Sequence, residues 1–286
     1  MTRSPGAAPH RRCPGRVRVP VAELNGVRIG YDLHGDGDLV LLVMGTGSPG
    51  RVWNLHQVPS LVEAGYRAVT IDNRGIARSE LGSGELTIDH LVGDAVALID
   101  HLGGGPASVI GTSLGARVVQ ELLLARPDLV SQAVLMAAHA RLDPVQRALS
   151  AGERALHDLG TTLPPRYRAA VTALHNLSPS TRADENAIKD WLDVFELSGA
   201  GADAGTRAQL ALAEFPDRLE AYRAITVPTL VIGFADDQMI PPRLSREVAD
   251  AVGSARYVEV EDCGHYGYLE RPAQVNELIL EFFAEL

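Results

Sequence analysis

Six short apolar-rich runs recur along this chain: Leu39 to Met44, Arg67 to Ile71, Ala107 to Ile110, Gln132 to Met136, Thr229 to Ile232 and Arg256 to Val260. Runs of this length, apolar at nearly every position, mark strands buried on both faces. Most are separated by stretches of helical length, and between Leu91 and Leu102 the residues Val92, Ala95, Val96 and Ile99 recur at helical spacing. Strands alternating with helices fold into a parallel sheet through right-handed crossovers, with helices on both faces. Before the first run, Val-Ala-Glu-Leu, the turn Asn25-Gly26 and Val-Arg-Ile-Gly-Tyr-Asp-Leu read as a β-hairpin. The expected fold class is α/β, a mostly parallel doubly wound sheet.

One interval breaks the alternation. From Arg141 to Tyr222 no strand is evident, but amphipathic segments are, including Ile188, Trp191, Leu192 and Phe195 at i, i+3, i+4 and i+7. The expected organisation is a loose tail over 1–18, a core formed by 19–140 and 223–286, and a helical cap inserted over 141–222. With 46% hydrophobic and 22% charged residues the chain can bury a sizeable core. A formal net charge of −10 disfavours nucleic acid or an anionic membrane as partner, since both recruit Lys and Arg. The two cysteines, Cys13 and Cys263, lie far apart and suggest no disulfide framework. The first residues lack the apolar core of a signal peptide, and no stretch is long enough to span a membrane, so a cytoplasmic protein is expected.

The strongest chemical signal is Gly111-Thr112-Ser113-Leu114-Gly115, after the run Ala107 to Ile110 and before the helix-like Ala116 to Arg126. A serine between strand and helix in G-x-S-x-G sits on a turn so tight that its flanking positions must be small. Chance would supply about 0.1 such pentapeptides in a chain this rich in glycine, so the strand-turn-helix setting matters more than the letters. A serine hydroxyl needs a positioned base, and the base needs an orienting group. His265 follows the run Arg256 to Val260, and the pair Asp236-Asp237 follows Thr229 to Ile232. In a parallel sheet all strands end along one edge, so Ser113, His265 and one of these aspartates can converge there.

In its order of serine, acid and histidine the chain resembles the α/β-hydrolase superfamily from Val21 to Leu286, in the branch of esterases, lactonases and C–C hydrolases with a helical cap. The loop Met44-Gly45-Thr46-Gly47 resembles the family's oxyanion loop, and Asp72-Asn73-Arg74-Gly75-Ile76-Ala77-Arg78-Ser79 its turn after the fourth strand. The resemblance implies the acid four residues before Pro241, which is Asp237, and oxyanion donors at the backbone N–H groups of Thr46 and Leu114. Met44 stands where many members have histidine, and Ala77 where many have glycine. A serine at the elbow disfavours the epoxide-hydrolase and haloalkane-dehalogenase branches, which carry aspartate there.

The expected activity is hydrolysis of an ester, thioester, lactone or ketonic C–C bond in a small to medium hydrophobic substrate, through an acyl-enzyme. The alternative is an acyl transferase, cyclase or lyase using the same three residues, and a non-catalytic binding protein of this fold is the third reading. Gly45, Trp53, His139 and Trp191 are candidates to line the substrate pocket. Cys263 reads as a packed side chain, and Asp72 and Arg74 as supports of their turn. No histidine pairs with another ligand at metal-binding spacing, so no metal or cofactor is expected. The oligomeric state is not encoded in any motif.

Overall fold

The computed structural model describes residues 20–198 and 203–285; the tail expected over 1–18 and part of the Gly/Ala-rich stretch 198–205 lie outside the described residues. Asn25 and Gly26 both take positive φ, 48° and 79°, as a two-residue type I′ hairpin turn requires. They join β1 (Val21–Leu24) to β2 (Val27–His34) in antiparallel pairing. There follow β3 (Leu39–Val43), β4 (Arg67–Ile71), β5 (Ala107–Thr112), β6 (Val130–Met136), β7 (Thr229–Phe234) and β8 (Ala255–Val260). The sheet order is β1-β2-β4-β3-β5-β6-β7-β8; β2 pairs antiparallel with β4, and every later pairing is parallel. All six expected runs are strands.

The helices are α1 (Gln57–Glu63), α2 (Ile88–His101), α3 (Leu114–Ala125), α4 (Pro144–Asp158), α5 (Pro165–Asn176), α6 (Pro179–Ala183), α7 (Glu185–Ser198), α8 (Ala204–Ala211), α9 (Leu219–Tyr222), α10 (Pro242–Ala251), α11 (Gly267–Glu270) and α12 (Pro272–Ala284). The period of two along each strand divides the core between two layers. In β3, Leu39, Leu41 and Val43 join the cluster under α2 and α3, whereas Val40 and Leu42 join the cluster under α1 and α12. Each such buried aliphatic side chain contributes about 1.5–3 kcal/mol. Burial on both faces explains why these strands read as continuous apolar runs.

Between β6 and β7 the described residues form helices only, α4 to α9. Ile188, Trp191, Leu192 and Phe195 of α7 pack with Ala169, Ala173 and Leu177 in a small cluster of their own. Leu212 and Tyr222 instead join the large cluster beneath the sheet. The last part of the insertion is thus continuous with the core.

The sheet order creates one crevice. From β3 the chain steps to β4 on one side and then returns to β5 on the other. At such a switch point the connections leave in opposite directions, and a ligand site opens beyond the carboxyl ends of the two strands. Here those ends carry Gly45–Gly47 and Ser113. Among the described residues no helix is long and apolar enough to cross a membrane.

Candidate active site

Ser113 stands between the end of β5 and the start of α3, with φ 56° and ψ −119°. Positive φ in a non-glycine residue costs energy and persists only where its surroundings impose it. Here they do: the Ser113 N–H donates to the Met136 carbonyl at 3.0 Å, and its own carbonyl accepts the Arg117 N–H at 3.1 Å. A Cβ on Gly111 would collide with the Gly115 carbonyl, and one on Gly115 with the Val43 carbonyl. The two glycines therefore let α3 start directly against β3 and β5, which raises the serine into the crevice.

The loop after β7 separates the two aspartates. Asp237 Oδ1 accepts the N–H groups of Met239 and Ile240, each at 2.8 Å, and Oδ2 lies 2.7 Å from His265 Nδ1. Its side chain is fully buried, whereas Asp236 is partly exposed and does not reach the histidine. A carboxylate with all these partners holds the ring so that Nε2 is the free nitrogen. His265 is itself buried and lines, with Ser113, a cavity of about 740 Å³. No hydrogen bond joins the Ser113 hydroxyl to His265 among the described residues, and bonds of this kind often tighten only once substrate is seated.

Thr46 and Leu114 also line this cavity. Neither N–H donates to a protein acceptor among the described residues, so both remain available to an oxygen above Ser113. Gly45 is pressed against the serine: a Cβ there would lie 3.2 Å from Ser113 Cβ. The loop Gly45–Gly47 after β3 is held from two sides. Asn73 donates to the Met44 carbonyl at 2.8 Å, and the Gly47 N–H donates to Gln209 Oε1 at 2.9 Å. Gln209, buried on α8, also donates from Nε2 to the Arg74 carbonyl at 3.0 Å.

Of the candidate pocket residues, Gly45 and His139 line the cavity and the two tryptophans do not. Trp53 is completely buried against Tyr268, with ring centroids 5.0 Å apart. Trp191 packs between Phe195 and Tyr266 in the small cluster of the insertion. Both aromatic signals mark packing. Asp72 accepts Gly50 N–H and Arg78 Nε, and Arg74 forms a buried pair with Asp94, so both support the turn after β4. Ala77, where the family resemblance leads to an expectation of glycine, takes φ 48°. Burial pushes the Cys263 thiol up to about 12, so that it stays protonated, and it donates to the Val260 carbonyl.

Three residues of the site escaped the sequence. Gln209 is one. Glu270 accepts the Gly264 N–H at 2.7 Å and the Ser178 hydroxyl at 2.8 Å, tying the histidine loop to the insertion. Arg117, one turn along α3 from the serine, is buried and lines the cavity beside Phe215.

Comparison with known proteins agrees with this architecture. Residues 33–278 match the model of the alpha/beta hydrolase family. A Mycobacterium tuberculosis (strain H37Rv) protein, BpoC, provisionally named a non-heme bromoperoxidase, is 45% identical over 260 residues, covering 91% of this chain and 99% of that one. Its crystal structure superposes with a TM-score of 0.87 over 90% of this chain and 96% of that chain. A provisionally named carbamate hydrolase, RutD, from Azorhizobium caulinodans is 28% identical over 278 residues, 94% of this chain and 99% of that one. The structure of an enol-lactonase from Burkholderia xenovorans LB400 matches at 26% identity and a TM-score of 0.77, over 93% of this chain and all of that chain. With an eight-stranded sheet wound in this order and a family match across most of its length, the chain belongs to the alpha/beta hydrolase family.

Proposed function

We propose that the protein is a serine hydrolase acting on an ester or lactone of a small to medium-sized molecule, with Ser113, His265 and Asp237 as its catalytic triad. The observation that carries this reading is the 2.7 Å contact of Asp237 with His265 Nδ1, in a cavity that also holds Ser113 on its strained turn. His265 Nε2 takes the hydroxyl proton as Ser113 Oγ attacks the carbonyl carbon, and the tetrahedral oxyanion is met by the N–H groups of Leu114 and Thr46. Collapse breaks the bond to the leaving oxygen, which receives that proton from His265. Water, deprotonated by the same nitrogen, then attacks the acyl-enzyme and releases the acid and free Ser113. The helices over 141–222 act as the cap that bounds the substrate.

Incubation with a fluorophosphonate and with p-nitrophenyl esters of graded chain length tests this reading. Wild type is expected to be labelled on Ser113 and to turn over esters, and Ser113→Ala to lose both by about 10⁴-fold or more. Labelling elsewhere, or turnover surviving in the variant, overturns it. Reaction in ¹⁸O-labelled water separates hydrolysis, which places the label in the acid, from acyl transfer or cyclisation, which does not. The likeness to BpoC adds one variant of the second step. If hydrogen peroxide replaces water at the acyl-enzyme, the product is a peracid, which oxidises bromide to hypobromous acid and returns the carboxylic acid. Bromide oxidation would then require an acyl donor and Ser113 together.

A further inference from the structure

The chain is acidic as a whole, yet the wall of its cavity carries a buried guanidinium with no carboxylate against it. Arg117 is 6% exposed, and no ion pair reaches it among the described residues. Its Nη1 donates to the Leu212 carbonyl, its carbon lies 3.6 Å from the centre of the Phe215 ring, and its Nε has no partner. The acid in its neighbourhood, Glu121, is committed elsewhere: it takes both arms of Arg218 at 2.9 and 2.7 Å and the Tyr222 hydroxyl at 2.9 Å. Two guanidiniums thus share one carboxylate, and one positive charge is left over. Glu153, the carboxylate lining the cavity from α4, forms no ion pair with Arg117.

A carbonyl and a ring face orient a guanidinium but supply only partial charges, and a buried unpaired cation is costly. Burial of this kind outside the packed core, on a cavity wall beside a reactive serine, points to a partner that arrives with the substrate. His139 completes the setting. It is buried on the same cavity, its ring centroid is 5.8 Å from that of Phe215, and Nδ1 has no partner. Burial, with Arg117 beside it, pushes its imidazole down to about 3, so it adds a polar atom without a second charge. Arg117 follows Ser113 by four residues on α3, a rise of about 6 Å, and helical side chains lean toward the N-terminus. The guanidinium therefore lies on the same side of α3 as the serine, within the reach of one small molecule.

We propose that Arg117, with His139 beside it, is an anion subsite that binds a free carboxylate carried by the same molecule whose ester or lactone carbonyl Ser113 attacks. This rests on the serine-hydrolase reading above and narrows its substrate to carboxylated esters and lactones. Guanidinium and carboxylate match in a two-bond fork, which favours a carboxylate over a neutral polar group of similar size.

The test compares each free acid with its own methyl ester. Mono-p-nitrophenyl succinate, glutarate and adipate carry the carboxylate on the acyl side, and 4-acyloxybenzoates carry it on the leaving group. Wild type is expected to favour at least one free acid over its methyl ester by about 10- to 100-fold in kcat/KM, mainly through KM. In Arg117→Met that ratio is expected to fall to one or below, whatever the variant's absolute rate, and Arg117→Lys to restore part of it. Because removing a buried guanidinium also perturbs folding, glutarate inhibition of neutral-ester turnover is measured on wild type as an independent reading, competitive inhibition being expected. A wild type that labels with fluorophosphonate and hydrolyses neutral esters, but prefers methyl esters on both sides and ignores glutarate, overturns the subsite and leaves the hydrolase reading standing. A wild type with no labelling and no ester turnover overturns that reading itself.

Discussion

The sheet edge and the helical insertion hold the same cavity by different means. Around Ser113 and Asp237 nearly every position is fixed by backbone: glycines that leave no room for a Cβ, and loop N–H groups aimed at a carboxylate. The insertion meets the cavity through helices that bury little. In α4 only Gln146 is buried, and the cluster between α5 and α7 has four buried members. Six of the nine large apolar side chains that stand exposed among the described residues lie on the insertion: Val145, Leu159, Tyr167, Leu174, Val194 and Leu197. The proposed catalytic groups sit on the closely packed part, where atoms can be held within about half an ångström, and the cavity boundary sits on the part with fewer buried contacts.

The largest effect that would sharpen this contrast is at Gly115. Alanine there sets a Cβ against the carbonyls of Val43 and Met44, both backbone atoms of a central strand and its loop. Overpacking of this kind costs about 3 kcal/mol or more where the neighbour cannot yield. The expected outcome is a thermal midpoint lowered by many degrees or an insoluble product. A Gly115→Ala variant with wild-type unfolding would show that α3 can slide away from β3, and that the elbow is less rigid than its geometry implies.

Gln209 is where the two regions meet, since one side chain joins α8 to both the loop after β3 and the turn after β4. Gln209→Ala frees the Gly47 N–H and lets the Thr46 donor drift. If the Thr46 N–H is the oxyanion donor proposed above, its misplacement costs about 10- to 100-fold, so kcat is expected to fall by that amount while global stability changes far less. Steady-state kinetics beside a thermal melt separate these. Equal losses in both would make Gln209 a packing residue.

How far these features were legible follows from what each one must satisfy. Strands buried on both faces had to be apolar throughout, so the six runs could be read directly, whereas their order in the sheet comes from the structure. Ser113 and His265 were legible because strand ends share an edge, but the choice of Asp237 over Asp236 needed the resemblance, since it depends on which carboxylate the N–H groups of Met239 and Ile240 can reach. Trp53 and Trp191 were misplaced because a large aromatic side chain signals burial and not direction. Arg117 does leave a signal in the sequence: in Leu-Gly-Ala-Arg-Val-Val-Gln-Glu-Leu-Leu-Leu-Ala the helix is apolar on most sides, and a cation within it cannot all face water. Gln209 and Glu270 act through backbone contacts 162 and 6 residues away, and pattern alone does not foresee such partners.

A smaller effect tests the cavity wall through protonation. His139 is held neutral by burial and by Arg117, with its imidazole pushed from the ordinary 6.5 down to about 3. Between those values the unfolded chain binds a proton that the folded chain refuses, so stability is complete above pH 6.5 and declines as pH falls toward 3. The decline reaches up to about 1.4 kcal/mol per pH unit from this group. Urea unfolding of wild type and His139→Gln between pH 7 and 5 is expected to show a flatter slope in the variant. Parallel slopes would mean that the buried imidazole finds a partner when charged.

The smallest effect belongs to the insertion and mirrors the first. Gly152 lies in the middle of α4, exposed, with nothing within 4 Å of an added Cβ. The same glycine-to-alanine change that breaks the elbow therefore has no carbonyl to strike here, and it removes the backbone freedom that a glycine gains on unfolding. Alanine in an exposed helix interior is better than glycine by about 0.5–1 kcal/mol, so Gly152→Ala is expected to raise the thermal midpoint slightly. Because Gly152 also borders the cavity, its KM for longer acyl chains is expected to shift by no more than about twofold, one methyl group in a wide pocket being a small obstruction. If Gly152→Ala instead destabilises as Gly115→Ala does, α4 is packed more tightly than its exposure indicates, and the division between a fixed edge and a tolerant cap fails.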